Sequence, residues 1–544
     1  MAQLSWLLVL LAALFAVIWY QFTGLKLHFF HESAYPLLYA ETNLDTATFF
    51  SGRFSGREIS PASWPTIGSL LLLLGGKVSI GTHSVYAFSF TLFSLLVGIF
   101  FCRVAKFSFF TSVLFLTTVF TAFGPIPAQY HWLDQVWIWP MNSYGVYDFF
   151  SLACFAIVLK LFQEEENTLD GSAVARRKAF RNWLLLAMAV FFLCSLNSVR
   201  GFLVILGGVI FALFFEKLIK PNPLAQAERK GWGILVALGV ASLAGLLLIK
   251  VTTAGIPQYW QDPHKLATIN NWNDFRDRLN SMPFTWLTLF NAIPVQGKSI
   301  FSPQNIVCLS NTLLATVLLL MPLFRLRTVA GQSGGMARAE KLMIFRFLFI
   351  FVLLLIATIY GTSAWTPRYL LPLAYAALFV FPFYVEAWLK EKRFGVIAIF
   401  IALLAPAYVN SIKELTKFSP SDYHSNKFYR MAKLLENEGV AFGYAGPWRS
   451  DVLTVNHFSD GKVRVALLDP ENNILQPHRH ADKQWYKKEH HRGKTFIALP
   501  ADVANGNAKN RMLRSSAIKT INFEDWVIDI YPENVADSLD NKFD

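Results

Sequence analysis

Long apolar stretches alternate with short polar ones through the first three quarters of this 544-residue chain. A stretch of about 20 apolar residues is long enough to cross the hydrocarbon core of a bilayer as a helix. About eleven stretches meet this criterion, and together they predict a polytopic all-α membrane domain. They lie near residues 4–23, 84–102, 107–124, 142–162, 182–198, 201–216, 232–251, 303–324, 343–360, 369–389 and 394–411.

The pattern changes near residue 412. Apolar residues at helical spacing predict a helix over 428–437, and Gly439 follows where a helix-ending glycine is common. After it come four runs rich in β-branched and aromatic residues, which are typical of strands. These runs are Val440–Tyr444, Lys462–Leu468, Thr495–Leu499 and Trp526–Tyr531. The sequence therefore predicts a membrane domain over 1–411 and a small soluble α/β domain over 412–544.

Composition agrees with a membrane protein and locates its positive charge. Hydrophobic residues make up 54% of the chain, which favours a polytopic membrane protein over a soluble enzyme. The net charge is +13, but residues 412–544 hold 19 basic against 18 acidic residues. The excess therefore lies in the membrane part, whereas a nucleic-acid-binding protein would cluster it on a soluble face. The four cysteines all lie in or beside apolar segments, so no disulfide framework is indicated.

The basic residues also predict which loops face outward, because cytoplasmic loops are enriched in lysine and arginine. With the basic connections inside, the N-terminus is cytoplasmic and the tail is outside. The outward loops are then 24–83, 125–141 and 252–302. In the first loop, 66–75 is predicted as a helix that lies in the membrane interface or is tucked against the helical bundle, and 272–279 in the third loop is a further candidate surface helix. The basic connections contain Arg103 and Lys106; Arg176, Arg177, Lys178 and Arg181; Lys217, Lys220, Arg229 and Lys230; Arg325, Arg327, Arg338 and Lys341; and Lys390, Lys392 and Arg393.

A carboxylate stands just after the first predicted span, in the run His28–Ala40. Glu32 lies there among aromatic and imidazole side chains, where an ionised group close to lipid is costly unless it has a function. We therefore consider Glu32 as a general base at the mouth of a cavity between the loop and the helices. The alternative is a loop carboxylate at the lipid headgroups, and Glu41 and Asp45 further along are interpreted as solvated or structural.

The second outward loop adds a carboxylate and an imidazole, Asp134 and His131. Asp134 is a candidate to orient the base or to bind an acceptor, although a polar loop residue is an equally good interpretation. His131 lies beside aromatic residues, so a packed imidazole is the alternative to a substrate contact. Asp148 lies one turn inside a predicted span and is expected to face the protein interior.

Three positive residues are predicted on the outward side, which normally carries few of them. Arg200 lies in the short turn 195–201 between two spans, Arg368 lies at the start of a late span, and Lys298 lies in the third outward loop. A guanidinium group suits phosphate because its planar fork donates two charge-assisted hydrogen bonds. These residues are therefore candidates for binding a phosphate, with snorkelling to bulk lipid headgroups as the alternative.

Three segments resemble the GT-C membrane glycosyltransferases, most closely the bacterial protein-mannosyltransferase-like and aminoarabinose-transferase-like branch. Residues 32–40 resemble the first-loop motif, with Glu32 at the position of the family's catalytic aspartate and Ser33 in place of the next acidic residue. Residues 64–76 resemble the family's interfacial helix, and 367–372 resemble its Arg-Tyr-Leu-Leu-Pro signature. The tail is similar to the soluble domain appended to many such proteins.

The resemblance implies a GT-C-like fold and an inverting transferase that uses a polyprenyl-phosphate-linked sugar. The acceptor would be a glycan, lipid or protein of the envelope. In this scheme Glu32 and Asp134 are catalytic, and the substrate contacts are Arg368, Arg200, Tyr35, His131, Lys298 and Tyr369. The scheme also places the chain in a bacterial inner membrane, in contact with membrane lipids, with its C-terminal domain in the periplasm and no nucleic-acid partner.

Other functions stay open at this point. They are a lipid-linked glycan transporter or flippase, an oligosaccharide polymerase or ligase, and a noncatalytic assembly protein. The sequence contains no Walker-type phosphate loop, no His-Glu-x-x-His motif and no Cys/His set with zinc spacing. No metal site or cofactor is therefore assigned, although the carboxylates leave a divalent cation open.

Overall fold

The computed structural model describes residues 2–29, 31–47, 65–123, 143–169, 173–197, 199–219, 226–252, 272–329, 335–360, 370–446, 451–471, 474–477, 482–505 and 508–539. Two compact units divide the chain. The helical unit comprises Met1–Trp19, Ser89–Val251 and Asp262–Lys417, and the mixed unit comprises Tyr20–Phe88, Thr252–Gln261 and Phe418–Asp544. The first loop therefore belongs to the same compact unit as the C-terminal tail.

Helices account for almost all of the described residues up to position 416. In chain order they are α1 (Ala2–Phe22), α2 (Gly24–Leu27), α3 (His31–Asp45), α4 (Pro65–Leu73), α5 (Ile80–Ala105), α6 (Phe109–Thr121), α7 (Ser143–Leu169), α8 (Ala173–Ser195), α9 (Val199–Phe202), α10 (Gly208–Ile219), α11 (Gln226–Thr252), α12 (Trp272–Leu289), α13 (Pro303–Val329), α14 (Gly335–Tyr360), α15 (Leu371–Lys390) and α16 (Phe394–Thr416).

The predicted spans all fall on helices. Among the described residues, eight helices are long and apolar enough to cross a membrane. Two more of the predicted spans are shorter apolar helices, Phe109–Thr121 and Leu203–Glu216, and the remaining one lies within α14. The polytopic all-α fold class is therefore confirmed. The two segments predicted as surface helices are helical, as α4 and as α12, which is longer than expected.

Helix α15 forms the centre of the helical unit. It is apolar around its whole circumference, and almost every residue from Leu371 to Trp388 is buried. Its one buried carboxylate, on Glu386, accepts hydrogen bonds from the Ser108 N–H (3.0 Å), the Ser108 hydroxyl (2.9 Å) and the Thr111 hydroxyl (2.8 Å). A helix N-terminus has unpaired N–H groups and a positive partial charge, so Glu386 satisfies and neutralises the start of α6.

A second polar contact lies deep within the helical unit. Asp148 of α7 and Arg346 of α14 are both fully buried, and Arg346 Nη2 lies 3.3 Å from Asp148 Oδ1. The Nε–H of Arg346 donates to the Ser151 hydroxyl at 2.9 Å. The expectation that Asp148 faces the protein interior is confirmed.

The tail folds around a six-stranded sheet with the order β3-β2-β1-β4-β6-β5. Strands β2, β1 and β4 are parallel to one another. Strand β3 pairs antiparallel with β2, β6 pairs antiparallel with β4, and β5 pairs antiparallel with β6. The four predicted strands are confirmed as β1, β2, β4 and β6, whereas β3 and β5 were not predicted. The strands are β1 (Phe442–Ala445), β2 (Arg464–Glu471), β3 (Ile474–Pro477), β4 (Thr495–Pro500), β5 (Lys519–Phe523) and β6 (Trp526–Tyr531).

Helices cover this sheet, and glycines allow the close contacts. The predicted helix is α17 (Lys427–Asn437), which buries Phe428, Met431 and Leu435, and Gly439 follows it at φ +66°. Residue 443 must be glycine because a Cβ there would lie 2.3 Å from the Phe496 side chain. Shorter helices are α18 (Val455–Phe458), α19 (Ala501–Asn505) and α20 (Ala508–Ser515). A small α/β domain at the C-terminus is therefore confirmed.

Candidate active site

The helix α3 carries the leading candidate. Glu32 is its second residue, where the positive end of the helix dipole favours a negative charge. Pro36 lies inside the same helix and has no N–H, so the Glu32 carbonyl receives no i→i−4 hydrogen bond from it. The helix nevertheless continues past the proline to Asp45. The side chain of Glu32 lies outside what the structure describes.

One side of α3 is lined with polar groups. Glu32, Tyr35, Tyr39 and Asn43 are spaced by three or four residues, which places them on one side of an α-helix. Tyr35 is half-buried. Burial raises the pKa of Tyr39 to about 12, although its hydrogen bond with Asn43 acts in the opposite direction. Tyr39 therefore stays neutral at physiological pH, on the same side of α3 as Glu32 by helical spacing.

The segment that enters α3 is fixed by a buried aromatic cluster. Phe29 is almost fully buried, and its ring centroid lies 4.4 Å from that of His83, 4.9 Å from that of His457 and 6.0 Å from that of Phe458. His83 comes from α5, and His457 and Phe458 come from α18 in the tail. The backbone three residues before Glu32 is therefore anchored on residues that sequence reasoning did not single out.

His457 makes this cluster sensitive to pH. Burial lowers the pKa of His457 well below its usual value. The pKa is lowered further by two neighbouring groups, the imidazole of His83 and the positive charge of Arg464. Both of its ring nitrogens are buried without a hydrogen-bond partner among the described residues. The folded chain therefore keeps His457 neutral at a pH where an unfolded chain, with a pKa of about 6.5, takes up a proton.

This difference predicts that the mixed unit loses stability as the pH falls below about 6.5. We expect His457→Phe, which keeps a ring but cannot titrate, to reduce the fall in thermal midpoint between pH 7.5 and 5.5. The measurement is thermal unfolding in detergent at both pH values. His424→Gln, a change at an exposed histidine of the same unit, is the control and should keep the wild-type dependence. An unchanged dependence in His457→Phe would contradict this role.

The other end of α3 is held by an ion pair. Glu41, nine residues after Glu32, accepts a hydrogen bond from the guanidinium of Arg464, the first residue of β2. About a quarter of each side chain is exposed, 24% for Arg464 and 27% for Glu41. The structural interpretation of Glu41 is therefore supported, whereas Asp45 is exposed at the end of the helix.

Arg200 lies in a distorted part of the helical unit. Its backbone belongs to the short helix α9, and a π-helical turn, Leu203–Gly207, follows at once. Such turns are rare and occur frequently at functional sites. Gly201 lies close to Asn197, since a Cβ at position 201 would lie 2.7 Å from the Asn197 side-chain oxygen and would force that side chain to shift. The side chain of Arg200 lies outside what the structure describes.

The remaining candidates are spread along the chain. Lys298 is exposed, and its carbonyl accepts a hydrogen bond from Asn305 at 3.3 Å. Asp134, His131, Arg368 and Tyr369 lie outside the described residues. Of the predicted site residues, the structure therefore brings together Glu32 and Tyr35, on one helix. Within the described ranges no group of three or more His, Cys, Asp or Glu side chains is placed to hold a metal ion.

These features define a polytopic helical membrane protein with an appended α/β domain. Among solved structures, the chain is similar to the crystal structure of ArnT from Cupriavidus metallidurans, which was determined bound to undecaprenyl phosphate. The similarity has a TM-score of 0.51 and covers 98% of this chain and 99% of that one, at 10% sequence identity. The chain therefore shares the fold of that structure, in agreement with the predicted helical membrane domain and C-terminal α/β domain. No family model and no curated protein matches the sequence.

Proposed function

We propose that this protein is an integral-membrane glycosyltransferase that uses a polyprenyl-phosphate-linked sugar as donor. The observation that carries the proposal is the likeness of fold, over 98% of this chain, to ArnT, which was crystallised with undecaprenyl phosphate. Glu32 at the start of α3 and a set of arginines that suit phosphate supply the groups that such a reaction needs. The acceptor is an envelope glycan, lipid or protein, and transfer takes place on the outward, periplasmic face of a bacterial inner membrane.

The reaction is a single displacement. The Glu32 carboxylate accepts the proton of an acceptor hydroxyl as the hydroxyl oxygen attacks the anomeric carbon. The new glycosidic bond forms while the bond from the anomeric carbon to the phosphate oxygen breaks, and the polyprenyl phosphate leaves with the negative charge. Arg368 and Arg200 stabilise that charge, and Asp134 orients the base or the acceptor. Attack from the side opposite the leaving group inverts the anomeric centre.

The test is sugar transfer by the purified full-length protein. It is supplied with a panel of radiolabelled polyprenyl-phosphate sugars and with crude envelope acceptors. Label that moves into an acceptor, with release of polyprenyl phosphate, supports the proposal. Liposomes that contain the protein and a fluorescent lipid-linked glycan provide the second arm. Failure of transfer with every donor, together with movement of the lipid across the bilayer, would establish a flippase instead.

Arg368→Ala is expected to weaken donor binding and to slow transfer. A charged hydrogen bond to a partly buried phosphate contributes about 1.5–3 kcal/mol, which is roughly a ten- to hundredfold change in Kd. Arg368→Lys keeps the charge but loses the planar fork, so its effect should be smaller. Donor affinity is measured by titration of the lipid phosphate into the detergent-solubilised protein.

The control is Arg393→Ala. Arg393 is an exposed cation paired with Glu391, in a connection predicted to face the cytoplasm. An equal loss of affinity in both alanine variants would show a general effect of positive charge on lipid binding, and would contradict a specific role for Arg368.

A further inference from the structure

We infer that Arg464 is a positioning residue, and that the C-terminal domain uses it with the cluster around Phe29 to hold Glu32 in its reactive place. This inference deepens the proposed function and rests on it. It assigns the tail a part in the chemistry through the position of α3.

The ion pair holds α3 at Glu41, which lies at a defined distance along the helix from Glu32. Glu41 lies nine residues after Glu32, which is about 13 Å along a helix at 1.5 Å per residue. The helix is continuous from His31 to Asp45 despite Pro36, so a movement at Glu41 is transmitted along it to the first turn. Arg464 pairs with Glu41 through Nη2, and its Nη1 is buried without a hydrogen-bond partner among the described residues. Glu41 is thus the acidic group that satisfies this guanidinium, and its removal leaves a partly buried charge uncompensated.

The strand that carries Arg464 is itself held rigidly. The N–H of Arg464 donates to the Ala441 carbonyl at 2.8 Å. The next residue, Val465, donates its N–H to the Asn456 side chain at 3.1 Å, and its carbonyl accepts from the same side chain at 3.3 Å. Arg464 therefore projects from a fixed backbone, as a residue must if it is to set the position of another element.

The second anchor is at the opposite end of α3. Phe29 lies three residues before Glu32 and inserts between His83 and the tail residues His457 and Phe458. The chain just before it is also attached to the tail, since the Asn426 side chain donates to the Leu27 carbonyl at 2.8 Å. Tail residues thus hold the chain on both sides of Glu32.

Helix α4 closes off a further side of α3. A Cβ at Gly68 would lie 3.0 Å from the Ala40 Cβ and 3.4 Å from the Pro36 carbonyl oxygen. The two helices therefore approach as closely as their backbones allow, and α3 cannot move toward α4. Among the contacts of the described residues, the pair of anchors to the tail then holds its first turn.

A carboxylate that acts as a base must lie within hydrogen-bonding reach of the proton it takes. A displacement of about 1 Å can cost a factor of about 100 in rate. Loss of the Arg464–Glu41 contact should therefore lower kcat about 10- to 100-fold. The KM for the donor should change less than threefold, because the groups proposed to bind its phosphate lie elsewhere in the chain.

The experiment compares four full-length variants with the wild type. They are Arg464→Met, Glu41→Gln, the exchanged pair Arg464→Glu/Glu41→Arg, and the control Lys519→Met. Lys519 forms an exposed ion pair with Glu438 at 2.6 Å within the tail, away from α3 in the chain. Each variant is measured for kcat, for KM and for amide hydrogen exchange over residues 31–45.

The expected result is faster exchange in α3 and a lower kcat for both single variants, with partial recovery in the exchanged pair. The Lys519→Met control should match the wild type. Unchanged exchange in Arg464→Met overturns the inference whatever the activity, and so does a kcat loss that Lys519→Met shares. Faster exchange in α3 from a protein whose wild type transfers no sugar would support the mechanical link and reject the proposed function, so the two failures are distinguishable.

Discussion

Replacement of Glu32 by glutamine is expected to reduce sugar transfer by about 100- to 10,000-fold, the range that a general base contributes. Glutamine has nearly the same size and hydrogen-bonding reach, but its amide cannot accept the acceptor's proton. Donor binding should change less than threefold, because the charge that holds the lipid phosphate is assigned to arginines. The measurement pairs single-turnover transfer of radiolabel with titration of polyprenyl phosphate.

Helix α3 offers a matched control for this change. Asp45→Asn neutralises a carboxylate on the same helix that is exposed at its end, so it should leave both rate and affinity unchanged. Glu32→Asp, which keeps a base on a shorter side chain, should retain part of the rate. If Glu32→Gln weakened donor binding as much as it slowed transfer, Glu32 would be a binding residue and not the base.

The membrane part of the fold could be predicted because its signal is local. A spanning helix needs a continuous apolar stretch of fixed length, since lipid offers its backbone no other hydrogen-bond partners. The segments near 232–251 and 394–411 meet that requirement from their own residues alone, and both are helices in the structure. The central helix α15 was predicted on the same ground, although it is surrounded by protein.

Elements whose stability depends on distant residues were not predicted. Strand β5 is short and mostly exposed, and only two of its five residues, Ile521 and Phe523, are apolar. Helix α3 combines a low apolar content with Pro36, and it is held by contacts with the tail instead. Its Glu41 pairs with Arg464, which lies 423 positions away in the sequence. At that separation no local sequence pattern indicates that the two residues meet.

The residues of the candidate site likewise fall into those with a local sequence signal and those whose role depends on distant contacts. Glu32 could be singled out from a short motif and from the cost of a carboxylate near lipid. Phe29, His457 and Arg464 gave no comparable signal, because an aromatic, a histidine and an arginine of this kind occur throughout the chain. Their roles follow only from the fold, which brings the first loop and the tail into one compact unit.

The buried ion pair of the helical unit gives the second large effect. Asp148→Asn should destabilise the protein by about 3–5 kcal/mol, because it leaves the charge of Arg346 buried without a counterion. Both side chains are fully buried, and Asp148 Oδ2 and Arg346 Nη1 have no hydrogen-bond partner among the described residues. The two buried charges therefore lack some of the hydrogen bonds that would offset the cost of removing them from water. The thermal midpoint in detergent measures the change, with the exposed Arg393→Met as the control, expected to cost less than about 1 kcal/mol.

The reverse change should be less damaging, because the two charges differ in chemistry. Arg346→Met leaves a carboxylate that can take up a proton and become neutral, whereas a guanidinium cannot release one at any relevant pH. The double variant Asp148→Leu/Arg346→Met removes both charges and should recover most of the lost stability. An unaltered thermal midpoint in Asp148→Asn would show instead that the carboxyl group is already neutral. Transfer activity of the stable double variant then decides the role of the pair, since full activity would make it structural and a loss would add it to the catalytic machinery.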